Sequence, residues 1–153
     1  MVGQSPRHRP FFEETRMKAR INGIDLAYSD DGQGLPVIFL HAFPFNRRMW
    51  EPQRLVLSQH YRVITVDLRG HGESDAPLWH YTLDLFADDV KGLLDHLAIR
   101  QAVLVGLSMG GYLLFAFHRK YPERIKGLVF CDTRAEADTP EVLAWRVALA
   151  QRV

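Results

Sequence analysis

The sequence predicts an α/β fold in which a mostly parallel sheet is covered by helices on both faces. Three short apolar runs, Pro36–Leu40, Tyr61–Val66 and Ala102–Gly106, each end in a loop that leads to a segment with helical spacing. Runs of this length and composition are typical of strands that are buried on both faces. Strands that alternate with helical segments indicate βαβ connections, and these connections favour a parallel sheet between two layers of helices.

The composition is that of an ordinary globular domain. The 153 residues are 47% hydrophobic and 24% charged, with a formal net charge of +1. This length suits one domain with a sizeable core, and the charge gives no reason to expect a nucleic-acid or anionic-membrane partner. No apolar run approaches the ~20 residues that span a bilayer. The single cysteine, Cys131, excludes an intrachain disulfide, so we expect a reducing, cytoplasmic location.

The N-terminal third contains a predicted leader, a hairpin and a helix. Residues 1–16 are polar, contain proline and show no periodicity, so we expect a disordered leader before Met17. Asn22-Gly23 separates two short runs and predicts a β-hairpin with a tight turn. Asn46 is a suitable N-cap for a helix that extends to Ser58.

Two more helices and one more strand are predicted around the centre and end of the chain. Thr82 is a suitable N-cap for a helix whose apolar residues step by three and four along one face. Ile125–Cys131 is expected to be another buried strand, and Glu141–Val153 has helical spacing. The expected core-facing residues are Leu83, Phe86, Val90, Leu93, Leu94 and Leu97 in the first helix, and Val142, Trp145, Leu149 and Val153 in the second.

The stretch Gln101–Tyr121 carries the strongest chemical signal. It contains Gly106-Leu107-Ser108-Met109-Gly110, which matches G-x-S-x-G between an apolar strand and a helical segment. A serine on such a turn takes a strained conformation and projects its oxygen above the sheet, while the glycines let strand and helix approach closely. The following helix directs free N–H groups at an oxyanion. The sequence therefore predicts a nucleophile elbow at Ser108; the alternative is a turn whose serine only caps the helix.

Three motifs together resemble the N-terminal half of an α/β-hydrolase-fold enzyme, from about Met17 to Thr133. They are the apolar strand followed by HAFPFN, the loop VDLRGHGES, and VGLSMGGY at the elbow. HAFPFN, GLSMGG and the polar stretch CDTRAEADTPE are similar to the branch that contains 3-oxoadipate enol-lactonases and non-haem haloperoxidases. The resemblance implies an incomplete hydrolase sheet with strands 1–6 only, a core part over 17–135, and the start of a helical cap over 136–153.

The resemblance also assigns roles to matching positions. Ser108 would be the nucleophile, and the backbone N–H groups of Phe43 and Met109 would form the oxyanion hole. The usual His-Gly pair of the family is His41-Ala42 here, which restricts the loop but still lets Phe43 present its N–H. Each donor aimed at developing charge contributes roughly 3 kcal/mol. The implied reaction is hydrolysis of a small ester or lactone through an acyl-serine, without a cofactor.

The acid and the base of a catalytic triad are harder to place. Asp132 is a candidate acid, because some members of the family place it after this strand, although most place it one strand later. The family pattern makes His41 structural and puts His71 in a loop, so either is a general base only as a minor alternative. No histidine has a metal-ligand spacing with a partner and a carboxylate, so we predict no metal. The histidines without any supporting pattern are His8, His60, His80, His96 and His118.

The family order of the triad is Ser, acid, His, and the resemblance places that histidine roughly a hundred residues beyond Val153. Without a base, a serine hydroxyl is a weak nucleophile. We therefore expect an incomplete or inactive fragment of a serine hydrolase. A sheet that stops after its sixth strand also exposes an apolar edge, through which we expect self-association.

Two other functions stay open. One is a non-catalytic module or split partner that needs a second chain; the unmatched histidine favours it, and the intact elbow opposes it. The other is cofactor-free perhydrolase or haloperoxidase chemistry, in which hydrogen peroxide attacks the acyl-serine. The substrate itself is not readable, because the cap would line most of its pocket.

Overall fold

The structure is a computed structural model and describes residues 16–78 and 81–150. Within them, six strands form one sheet: β1 (Met17–Ile21), β2 (Ile24–Asp31), β3 (Pro36–Leu40), β4 (Arg62–Val66), β5 (Ala102–Leu107) and β6 (Ile125–Cys131). Their spatial order is β1-β2-β4-β3-β5-β6. β2 is antiparallel to both of its neighbours, whereas β4, β3, β5 and β6 run parallel. The predicted α/β class with a mostly parallel sheet is therefore confirmed.

Four α-helices lie within the same residues: α1 (Glu51–Leu57), α2 (Leu83–His96), α3 (Met109–Lys120) and α4 (Pro140–Ala150). Alternate residues of a strand point to opposite faces of the sheet, and the sheet residues accordingly form two cores. In the larger core, α2 and α3 pack against residues such as Leu40 and Leu104. In the smaller core, Trp50 and Leu57 pack beside Phe39. Helices therefore lie on both faces, as the sequence predicts.

The hairpin predicted at Asn22-Gly23 is present. Both residues have positive φ values, 47° and 81°, and Ile21 pairs with Ile24 across the two-residue turn. A two-residue hairpin turn with both central residues at positive φ matches the right-handed twist of the strands. Asparagine followed by glycine tolerates this conformation better than other residue pairs do.

Both predicted N-caps are also confirmed. The Asn46 side chain accepts a hydrogen bond from the Arg48 N–H at 3.0 Å, at the start of a 3₁₀ turn, Arg47–Trp50, that leads into α1. Thr82 Oγ1 accepts one from the Leu85 N–H at 3.1 Å, at the start of α2. Four of the predicted core-facing residues of α2 are buried and Leu97 packs against the core: Phe86, Val90, Leu93 and Leu94 are at most 5% exposed.

Leu83 is a wrong prediction, because it is 38% exposed. It occupies the first position of α2 and lines an open cleft beside Phe115 and Ala116 of α3. Helical spacing identifies the side of α2 on which a residue lies. It does not show whether the neighbouring helix reaches far enough to cover that residue.

β6 is an edge strand, and the prediction that Ile125–Cys131 is buried is wrong. Within the described residues β6 pairs with β5 alone, and Val129 and Phe130 are 44% and 42% exposed. An apolar run reports the composition of a strand, whereas its burial depends on what packs against it. Self-association through this edge stays a prediction.

α4 forms where a helix is predicted, but its apolar side chains are not buried. Val142 is half-buried, whereas Trp145 is 63% exposed and Leu143 is 56% exposed. The other two residues assigned to this face, Leu149 and Val153, lie outside the residues whose side chains are described, as does all but the last residue of the predicted leader.

Candidate active site

Ser108 lies alone between the end of β5 at Leu107 and the start of α3 at Met109. Its backbone has φ 50° and ψ −108°, a conformation that is costly for a residue with a Cβ. Two contacts hold the residue there. The Ser108 N–H donates to the Cys131 carbonyl at 3.1 Å, and Thr133 Oγ1 donates to the Ser108 carbonyl at 3.0 Å. The residues at the end of β6 therefore help to stabilise the strained turn.

The side chain of Ser108 is not used to cap α3. No hydrogen bond joins its hydroxyl to the first turn of the helix, in contrast to Thr82 at the start of α2. The structure therefore does not support the alternative in which the Ser108 side chain only caps the helix. The hydroxyl sits at the N-terminal end of a 12-residue helix, where free N–H groups and the helix dipole favour negative charge.

Three glycines allow α3 to lie close to β5, to β3 and to the residues after β6. A Cβ added at Gly106 would lie 2.3 Å from the Gly110 carbonyl oxygen, and one at Gly110 would lie 2.3 Å from the Leu40 carbonyl oxygen. A Cβ at Gly111 would lie 2.5 Å from the side chain of Thr133. Because these separations are far shorter than a van der Waals contact, larger residues would push the helix away from the sheet.

The two expected oxyanion donors lie at the same end of the sheet. β3 and β5 are parallel neighbours in which Leu40 pairs with Gly106, so the loop after β3 and the elbow both follow strand ends. Met109 is the first residue of α3, where a backbone N–H has no acceptor within the helix. For the Phe43 N–H, no acceptor lies within hydrogen-bonding distance among residues 16–78 and 81–150. Both N–H groups are thus available to a ligand.

His41 fixes the start of the loop that carries Phe43. The ring is fully buried, and its Nε2 accepts a hydrogen bond from the Leu68 N–H at 3.0 Å. Its Nδ1 therefore carries the hydrogen and donates it to the Ala42 carbonyl at 3.0 Å. Burial lowers the pKa of His41 to about 4, so the ring is neutral near pH 7. With both nitrogens bonded to backbone groups, His41 has no free nitrogen to accept a proton from Ser108.

Arg47 and Asp67 fix the other end of this loop, and sequence analysis did not identify them. Both residues are buried, and the Arg47 guanidinium forms an ion pair with the Asp67 carboxylate. The carboxylate also accepts the Arg47 N–H at 2.7 Å and the Glu73 N–H at 2.8 Å. The Glu73 side chain accepts a further hydrogen bond from Arg47 at 3.1 Å. In the sequence, this buried pair was indicated only by the position of Asp67, directly after the apolar strand in VDLRGHGES.

A second buried ion pair ties the loop after β4, residues 67–74, to α2. Arg69 donates two hydrogen bonds of 2.8 Å to the carboxylate of Asp89, and these bonds raise the pKa of Arg69. Asp89 also accepts a hydrogen bond from the Asn22 side chain at 3.0 Å. Loop 67–74 is therefore connected to the hairpin, to α2 and to the loop after β3.

His71 lies in loop 67–74 and faces the loop after β3. Its ring centroid is 5.0 Å from that of His41 and 6.0 Å from that of Phe43, in both cases edge to face. Its Nδ1 donates to the Arg69 carbonyl at 3.0 Å. The histidine is partly buried, and its ring packs against the loop after β3.

Asp132 follows β6 and is exposed, with a positive φ of 41°. It lines an open cleft of ≈ 260 Å³ together with Thr133 and Arg134. Among the described residues, no hydrogen bond joins Asp132 to a histidine. Its role as a triad acid stays a prediction.

No group of three or more histidine, cysteine, aspartate or glutamate side chains within the described residues is arranged to hold a metal ion. In the same part of the chain, no helix has both the length and the apolar composition that crossing a membrane requires.

Comparison with known proteins identifies the family. The model of the alpha/beta hydrolase fold matches residues 36–152, which is most of the chain. The chain therefore belongs to the α/β-hydrolase-fold family, as HAFPFN, VDLRGHGES and the elbow predicted.

Several individual proteins are similar to the chain. A 3-oxoadipate enol-lactonase of Acinetobacter baylyi is 38% identical over 134 residues, which are 85% of this chain and 48% of the lactonase. A non-heme chloroperoxidase of Kitasatospora aureofaciens is 46% identical over 92 residues, 59% of this chain and 33% of the chloroperoxidase.

Among solved structures, a thermophilic esterase from Thermogutta terrifontis with malate bound is 47% identical, with a TM-score of 0.84. The match covers 91% of this chain and 53% of the esterase. The chain thus spans about half or less of the length of the relatives that it matches.

Proposed function

We propose that the protein is a serine hydrolase of a small carboxylic ester or lactone, with Ser108 as the nucleophile. The observation that carries the proposal is the backbone of Ser108, held at φ 50° and ψ −108° with no capping bond on its hydroxyl. Strain of this kind persists only where the surrounding structure maintains it, and it concentrates at functional sites. The esterase and lactonase relatives support the choice of bond.

In the proposed reaction, Ser108 Oγ attacks the carbonyl carbon of the substrate while a general base takes its proton. The carbonyl oxygen becomes an oxyanion, which the N–H groups of Met109 and Phe43 bind at the N-terminus of α3. The bond from carbonyl carbon to leaving oxygen then breaks, and that oxygen takes the proton back from the base. Water attacks the acyl-serine in the same way and releases the acid and the free serine.

The proposal assigns the general base to a residue other than His41, His71, His96 and His118. His41 has no free ring nitrogen. His71 donates its Nδ1–H to the Arg69 carbonyl, which leaves Nε2 as an acceptor, but no hydrogen bond joins this ring to Ser108 within the described residues. His96 and His118 are exposed, on α2 and α3. Asp132 remains the candidate acid. We also propose that α4 begins a cap over the site, and that the protein is cytoplasmic.

Perhydrolysis is the second candidate function, because non-heme chloroperoxidases are among the relatives. In this reaction hydrogen peroxide, rather than water, attacks an acetyl-serine and leaves as peracetic acid. The peracid then oxidises bromide to hypobromous acid and returns acetate. Bromination that requires acetate, peroxide and Ser108 would identify this chemistry.

The test is labelling of the purified chain with a fluorophosphonate, after circular dichroism has shown that it is folded. We expect labelling of wild type and of Ser58→Ala, a control serine at the end of α1, and none of Ser108→Ala. Added imidazole should accelerate labelling, since it can act as the general base for Ser108 in place of a histidine side chain. A folded chain that labels no faster than Ser108→Ala, with or without imidazole, would contradict the proposal and favour a non-catalytic module.

A further inference from the structure

The side chain of Phe43 does not anchor the residue whose N–H is the proposed oxyanion donor. Phe43 is 64% exposed, and its neighbour Phe45 is 56% exposed. The Phe45 N–H donates to the Ala42 carbonyl at 2.9 Å and closes a turn around Phe43, but this turn is internal to the loop. His41 and Arg47 hold the two ends of the loop, and the orientation of Phe43 between them is left to a contact from outside the loop.

The ring of His71 is placed to do this. It contacts the ring of Phe43 edge to face, with centroids 6.0 Å apart and planes at 89°. On its other sides it contacts the buried ring of His41 at 5.0 Å and Phe86 of α2 at 6.4 Å. Edge-to-face contacts are directional as well as attractive. The imidazole thus links the exposed Phe43 to two buried rings of the core.

Hydrogen bonds fix the backbone and the ring of His71, so the ring can hold a neighbouring side chain in place. Its N–H donates to the Leu68 carbonyl at 2.9 Å, and its carbonyl accepts from the Ser74 N–H at 3.1 Å. Its Nδ1 donates to the Arg69 carbonyl at 3.0 Å. The Ser74 hydroxyl donates to the Asp67 carbonyl at 2.6 Å and accepts the Ala27 N–H at 2.8 Å. The loop that carries His71 is therefore bonded to the sheet.

We propose that His71 is a positioning residue, whose ring holds the backbone of Phe43 in the orientation in which its N–H faces the carbonyl oxygen of a substrate at Ser108. The inference rests on the proposed function. His71 transfers no proton in this role; a ring of similar shape would do the same work. Without the ring, the flanking turn and the anchors at His41 and Arg47 would remain, but the side chain of Phe43 would lose its ring contact with the core.

The first measurement is the backbone ¹⁵N order parameter of Phe43 in the 153-residue chain. In wild type we expect an order parameter of ~0.85. It should fall below ~0.6 in His71→Ala and return to the wild-type value in His71→Phe. His96→Ala is the matched control, because its ring also makes an edge contact with an aromatic residue, Tyr28, but lies on α2 away from the elbow. The control should leave Phe43 unchanged. His71→Gln is measured in parallel and replaces His71→Ala if that variant does not fold.

The second measurement is the rate of fluorophosphonate labelling at Ser108. We expect His71→Ala to label about tenfold more slowly than wild type, which corresponds to 1.4 kcal/mol, and His71→Phe to label within about twofold of wild type. Melting temperatures of all variants show whether a change reflects unfolding instead.

An unchanged order parameter in His71→Ala would overturn the inference. So would a loss in His71→Phe as large as in His71→Ala, because the bond to Arg69 rather than the ring would then be responsible. The proposed function fails separately, through wild-type chain that does not label at Ser108. The two failures are distinguishable, because the order parameter involves no chemistry.

Discussion

The loops after β3 and β4 bury charged side chains, whereas β6 and α4 expose apolar ones. Arg47 and Asp67 are at most 2% exposed, while Phe130 is 42% and Trp145 is 63% exposed. Ion pairs occur in both regions, but those around the start of α4 lie at the surface: Asp138 pairs with Arg134 and Arg146, whose side chains are about half exposed. Ion pairs are thus buried in the loops after β3 and β4, whereas they lie at the surface near α4.

The difference matters because Ser108 is held from both regions. Its helix packs closely over Leu40 on one side, and its N–H is bonded to Cys131 of β6 on the other. Buried charges are tolerated only when fully paired, so the β3–β4 side has little freedom to rearrange. On the other side, β6 is held in the sheet by its pairing with β5 within the described residues. We therefore expect substitutions on the β3–β4 side to have larger effects than matched ones near β6 and α4.

The largest effect is expected from Asp67→Asn, which removes the buried one of the two carboxylates, Asp67 and Glu73, that pair with the buried Arg47. Breaking a buried pair from one side costs about 3–5 kcal/mol. Asp138→Asn is the matched control and should cost less than about 1 kcal/mol, because exposed ion pairs contribute little. Urea denaturation measures both free energies of unfolding. Equal losses for the two variants would show that the two regions do not differ in this way.

The next effect concerns two glycines. A Cβ at Gly110 would lie 2.3 Å from the Leu40 carbonyl oxygen, whereas one at Gly127 in β6 would meet Val103 at an ordinary 3.7 Å. We expect Gly110→Ala to lower the free energy of unfolding by up to about 3 kcal/mol, as overpacking does. Gly127→Ala should stay within about 1 kcal/mol of wild type. Thermal unfolding of the two variants measures this difference. Near-equal melting temperatures would show that α3 is not packed more tightly at Gly110 than β6 is at Gly127.

The smallest expected effect is a pH dependence from His41. Burial lowers its pKa from 6.5 to about 4. Between these values the unfolded ring binds a proton that the folded ring does not bind, so stability falls as pH falls from about 6.5 to about 4. At pH 5 the loss relative to pH 7 should be about 2 kcal/mol.

His118, exposed on α3, offers the control for this dependence. Urea denaturation of wild type and His118→Gln between pH 7 and pH 5 should show the same loss, and His41→Gln should lack most of it. A loss that persists in His41→Gln would assign the dependence to other groups.

Local structure was predictable wherever one residue type satisfies a local requirement. Asn22-Gly23 predicts its turn because both positions need positive φ, and Thr82 predicts its cap because its oxygen can accept a free N–H. Gly106 and Gly110 likewise predict the strained conformation of Ser108, because they leave space where strand and helix cross. In each case the cause lies within a few residues of the effect.

The buried network around Arg47 was not predictable in this way. Arg47 lies in the segment after β3, whereas Asp67 and Glu73 lie in the loop after β4, and each has a type that is usually exposed. Only the parallel pairing of β3 with β4 brings their loops together. The contact of His71 with Phe43 has the same origin, since nothing near either residue indicates the other.

The sequence by itself determined the α/β class, the hairpin, the helix caps and the position of the elbow, because each depends on local backbone chemistry or on periodicity. The tertiary structure decided which apolar runs are covered, which charges are paired, and which rings meet at the loop after β3. β6 is the clearest example: its composition is that of a buried strand, yet it lies at the edge of the sheet formed by the described residues. Burial is a property of neighbours, and neighbours distant in sequence are brought together only by the fold.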